Sequence, residues 1–162
     1  MSKDALTTYL NDHVAGSVAA LELLDHLIPL LQGSTREQEL LTIRREVAED
    51  QNVLLGLLGR VGAKESGVRN TLARITEKLG RLKLRLDDPG DGQFRTLEAL
   101  EALALGIQGK VALWRALAAA SRQLAEIGIL DYAGLEQRAR DQFNRVDAIR
   151  LQVAADALSP PG

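Results

Sequence analysis

Between Thr96 and Glu126 the chain reads TLEALEALALGIQGKVALWRALAAASRQLAE. Apolar residues fall on nearly every side of the helix this composition favours, and a helix that is apolar all round is a buried one. Glu98, Glu101, Lys110 and Arg115 interrupt it too often for a membrane span, which needs about 20 consecutive apolar residues. The stretch therefore reads as the central helix of a soluble bundle. The other segments must supply the helices that cover it.

They do so with helical spacing. Leu6, Leu10, Val14, Leu21, Leu24 and Ile28 recur at three- and four-residue steps or their multiples, which predicts a first helix over about 4–31. Pro29 removes a backbone donor near its end, and Gly33 is suited to a left-handed cap. Ser34-Thr-Arg-Glu37 is a capping-box pattern that opens a second helix over 35–61, carrying Leu40, Ile43, Val47, Leu54, Leu57, Leu58 and Val61 and stopping at Gly62. A third helix over 66–86 has Val68, Leu72, Ile75, Leu79, Leu82 and Leu86 on one side. The turn-rich run Asp87-Asp-Pro-Gly-Asp-Gly92 ends it. Thr96 caps a fourth helix over 96–127, closed by Gly128, and Asp131 caps a fifth over 132–157 with Leu135, Ala139, Val146, Ile149 and Val153 inward.

A chain of 162 residues, 46% of them hydrophobic, suits one domain spanning 1–162 and can bury a core without staples. No cysteine is present, which removes disulfides, thiolate nucleophiles and cysteine metal knuckles. The N-terminus lacks the apolar core of a signal peptide, so a cytoplasmic location is the default expectation. Aromatic residues make up 3%, too few for a base-stacking platform, and a net charge of −2 gives no general attraction to nucleic acid.

Four helices of this length span roughly 40 Å each at about 1.5 Å per residue. Helices one and two are joined by few residues, as are four and five, so each pair is expected to be an antiparallel hairpin. The segment between the hairpins is long enough to travel the length of the bundle, which gives an all-α, up-down-down-up bundle with an additional crossover helix, five helices in total. The stretches TYLNDHVAGSVAALELLDHL, ITEKLGRLKLRL and LEALEALALGIQGKVALWRAL resemble those of uncharacterised bacterial proteins grouped with ferritin-like helical bundles. That resemblance implies a ferritin-like fold. A di-iron centre in such a bundle uses a Glu on each of two helices and Glu-x-x-His on each of the other two. Glu-x-x-His does not occur here, and both histidines, His13 and His26, lie in the first helix.

One polar layer is expected inside the bundle. If the first two helices turn near Gly33, His13 lies opposite Val53 and within a turn of Glu49 and Asp50, and Asp50 sits on the inward stripe between Val47 and Leu54. A fourth helix parallel to the second brings Lys110 to the same level, and the last hairpin sets Arg145 a turn away. Two readings compete for these residues. In the first, Lys110 pairs with Asp50 or Glu49 in a closed network, because a buried ion needs a partner or neutralises. In the second, His13, Glu46, Glu49, Asp50 and Glu101 form an atypical site for iron or another transition metal, in a protein that handles iron or oxidants. Lys110 favours the first, since an ammonium repels a divalent cation and can itself balance the carboxylates.

Gly106 and Gly109, with Ala102, make a small-residue face in mid-helix, read as a site of close helix approach at a cost of about 1 kcal/mol per glycine. Trp114 reads as a core or interface anchor. Residues 60–85 hold eight basic residues against two acidic ones, a local +6 that leaves −8 for the rest of the chain. Arg69, Arg74, Lys78, Arg81, Lys83 and Arg85 could face solvent or bind an anionic surface. No nucleophile elbow, phosphate loop or dinucleotide fingerprint is present. The expectation is a structural or interaction protein without a working di-iron centre or cofactor, not an enzyme, without a membrane span, and able to form a homodimer.

Overall fold

The computed structural model describes residues 2–62 and 92–159, together with Ala73 and Glu77. Four long helices account for most of them: α1 (Ser2–Leu30), α2 (Thr35–Arg60), α3 (Gly92–Ala120) and α4 (Tyr132–Ala157). The expected helix over 66–86, with its six basic residues Arg69, Arg74, Lys78, Arg81, Lys83 and Arg85, lies outside the described residues apart from Ala73 and Glu77. Among the described residues there is no strand, and no helix is long and apolar enough to cross a membrane.

Local chemistry sets the ends of the elements. Gly33 has φ 78°, the left-handed conformation that costs glycine nothing sterically. The Ser34 hydroxyl accepts from the Glu37 amide at 3.3 Å, while the Glu37 carboxylate reaches back one residue further than a capping box requires and accepts from the Gly33 amide at 2.7 Å. Asp131 caps α4 through the Gly134 amide.

The central helix differs from expectation at both ends. It begins at Gly92, and Thr96 is a buried residue of its second turn whose hydroxyl donates to the Gly92 carbonyl at 2.8 Å. It ends at Ala120, because the chain then folds into a 3-10 turn (Ala125–Ile127) that plugs fully buried Ile127 into the core. The Tyr132 hydroxyl fastens this turn by donating to the Ile127 carbonyl at 2.6 Å. Gly128 closes the 3-10 turn and not the helix.

Cross-helix pairs fix the directions. Asp25 meets Arg44 and Ser17 meets Gln51, so α1 and α2 are antiparallel. Lys110 meets Gln142 and Glu101 meets Arg150, so α3 and α4 are antiparallel. Arg138 meets Glu49 and Arg145 meets Glu39, so α4 is antiparallel to α2 as well. It follows that α2 and α3 run the same way, an up-down-down-up arrangement in which α2 ends and α3 begins at opposite ends of the bundle. At the end where α3 begins, Leu30, Arg36, Gln93 and Asp156 border an open hollow of about 410 Å³.

The interior is two apolar clusters along the bundle. One gathers Leu24, Leu27, Leu40, Ile43, Leu100, Leu103 and Val146, and the other Leu10, Val14, Leu54, Leu58, Trp114, Leu117 and Ala139. Each fully buried leucine contributes on the order of 2 kcal/mol relative to exposure. Trp114 is a core residue, wholly buried, with its ring centroid 6.4 Å from that of Tyr132. The expectation that α3 is buried all round holds for one face only, the one that carries Leu100, Leu103, Ile107, Val111, Trp114 and Leu117. Its outward side is exposed, and Leu105 there retains 73% of its accessible surface.

Candidate functional site: an ion layer between three helices

Asp50 falls in the apolar stripe of α2 between Val47 and Leu54, so folding carries its carboxylate inward whatever its chemistry prefers. It is 1% exposed. Such an ion persists only if fully partnered. Lys110, arriving from α3, donates to Asp50 Oδ2 at 2.6 Å. Arg138 of α4 donates through Nη2 to Asp50 Oδ1 and through Nη1 to Glu49 at 3.1 Å. One carboxylate thus ties two cations from two other helices.

Gln142 completes the arrangement. Wholly buried one turn after Arg138, it accepts from Lys110 through Oε1 and donates through Nε2 to Glu46 at 3.1 Å and Asp50 at 3.3 Å. Arg145 extends the network towards solvent, donating to Glu46 and, at 3.0 Å, to Glu39. Lys110, Arg138 and Arg145 therefore face Glu39, Glu46, Glu49 and Asp50, three cations against four carboxylates.

The electrostatics follow from this packing. Burial pushes the Lys110 ammonium below its ordinary value, the charge and hydrogen bond of Asp50 oppose that, and Arg138 adds to the lowering. Burial also works against ionised Glu46. Hydrogen bonds from Arg145 and Gln142 and the charges of Arg145 and Arg138 overcome it and hold the carboxyl below its ordinary value. Arg145 loses by burial and gains more from its bonds to Glu46 and Glu39, so its pKa is raised.

Of the residues singled out in the sequence, Glu49, Asp50, Lys110 and Arg145 meet in this network. His13 does not. Its ring stacks edge-on against Tyr9 with centroids 4.7 Å apart, and burial lowers its pKa, partly countered by Asp12. It borders a cleft of about 40 Å³ between α1, α2 and α3, alongside Gly16, Ser17 and Gly106, with Asp50 and Lys110 also lining it. Glu101 lies away from the layer, half-exposed, 3.5 Å from Arg150. Of the five residues considered for metal, Glu46, Glu49 and Asp50 are brought together with arginine, lysine and glutamine already on their oxygens. Among the described residues no three His, Asp or Glu side chains converge as metal ligands.

Glu39, Arg138 and Gln142 are the members that sequence reasoning missed. A signal existed: Gln142 lies three residues after Ala139 and four before Val146, on the inward stripe of α4, and Arg138 is one turn earlier. No protein-family model matches the chain, and comparison with curated proteins and with solved structures gives no match.

Proposed function

We propose that this chain is a ferritin-like bundle whose central charge balance is supplied by protein cations instead of metal, and that it acts as a structural or interaction protein. The observation that carries this reading is Lys110, hydrogen-bonded to Asp50 and Gln142 in mid-bundle, where facing helices of di-iron bundles hold their ions. A divalent ion about 4 Å from that ammonium would be repelled by roughly 8 kcal/mol at an effective dielectric of 20. The carboxylates it would need already accept from Lys110, Arg138 and Arg145. The donor set therefore does not fit a di-iron centre. The chemistry of the layer is that of a closed electrostatic clasp, each carboxylate held by a cation or an amide.

Metal analysis tests this on protein purified without a histidine tag. The expected result is transition metal well below one ion per chain and a melting temperature unmoved by chelators. A stoichiometric transition metal, lost in His13→Ala, would overturn the reading.

A further inference from the structure

The outward side of α3 is what the fold leaves unexplained. Ala102, Leu105, Gly109, Ala112, Ala116 and Ala119 follow one another at steps of three, four, three, four and three, the seam spacing of a coiled coil. None of these residues is buried, and Leu105 is the most exposed large apolar residue among the described residues. The outward sides of α2 and α4 look different, carrying Arg45, Glu49, Arg140 and Asp141. A Cβ added at Gly106 or Gly109 would meet nothing within 4 Å, so no close approach inside this chain requires glycine there.

Beside the seam, on one edge, stand Glu101, Gln108 and Arg115, seven residues apart and all exposed. Arg115 makes no ion pair or hydrogen bond among the described residues, and Glu101 makes only the 3.5 Å contact to Arg150. Acid at one end, a neutral amide in the middle and a base at the other is a self-complementary edge. A two-fold axis through Gln108 lays Glu101 beside Arg115 of the partner subunit, and its own Arg115 beside Glu101 of the partner subunit. The two Gln108 amides meet on the axis. In a parallel pair this edge would face the opposite edge of the partner subunit's helix, and neither charge pair would form.

We propose that this chain forms a homodimer by antiparallel packing of α3 on α3 about Gln108. In that register each Leu105 enters the space above Gly109 and Ala112 of the partner subunit. The small seam lets the helix axes approach to about 8 Å. Such an interface is isologous, as a two-fold dimer requires. It stands or falls independently of the ion layer.

The whole chain in solution is expected to show a mass twice its 17.6 kDa by light scattering. Leu105→Glu should give a monomer with unchanged helical circular dichroism, because that side chain touches no core. Arg115→Glu and Glu101→Arg should each weaken association at least tenfold, and the double variant should restore it. The chain has no native cysteine, so Gln108→Cys should form a disulfide-linked dimer under mild oxidation while Arg45→Cys on the exposed side of α2 does not. A monomer at every concentration would overturn the proposal and assign the seam to another partner or to residues 66–86. A dimer indifferent to both charge reversals would overturn it too.

Discussion

Asp50 is the residue on which the middle of the bundle depends, because its two oxygens serve two cations that have few other partners. Asp50→Leu should therefore strand buried Lys110, while Arg138 keeps Glu49, and cost about 3–5 kcal/mol, the range for breaking a buried pair. Lys110→Met removes one cation but leaves Asp50 paired to Arg138 and Gln142, at a cost of about 1–3 kcal/mol. Denaturation midpoints compare the two, and equal losses would refute the asymmetry. Glu46 gives the layer a pH signature. Its folded pKa lies below the ordinary 4.5, so its contribution is complete above that pH and disappears as pH falls through the folded value. The stability gap between the native chain and Glu46→Gln should accordingly be full at neutral pH and shrink as pH falls below 4.5 and through the folded value. A gap that does not change with pH would rule this out. The pairing of Asp50 with Lys110 was legible in the sequence because height along a helix follows from counting residues from the turns. The path of a side chain beyond its Cβ does not, and His13, which lines the same cleft as Asp50 and Lys110, packs its ring edge-on against Tyr9 and bonds neither of them.

At the scale of the element, helix positions and directions were readable because apolar spacing and turn chemistry agree in α1, α2 and α4. The boundaries of α3 were not. Thr96 has the chemistry of a cap, yet the turn before it is also helical, and burying Ile127 wins over continuing the helix past Ala120. Gly106 offers a direct test of what mid-helix glycines do here. With open space at its Cβ position, Gly106→Ala should stabilise the folded chain by about 1 kcal/mol and raise the melting temperature by about 2–4 °C. Loss of stability instead would mean that something packs against that position.

For the molecule as a whole, two hairpins of Leu and Ala could meet in several alignments of similar apolar burial, and the ion layer selects one. A shift of α3 by one turn would take Lys110 out of reach of both Asp50 and Gln142. The layer also has a consequence for the order in which the protein is made. Lys110 and Arg138 lie 60 and 88 residues downstream of Asp50. When α1 and α2 have left the ribosome, the carboxylate at the centre of their inner face still has no counter-ion and must stay in water. The inner face of the first hairpin therefore keeps water at Asp50 until Lys110 arrives with α3, and the layer is complete only once Arg138 and Gln142 of α4 have followed.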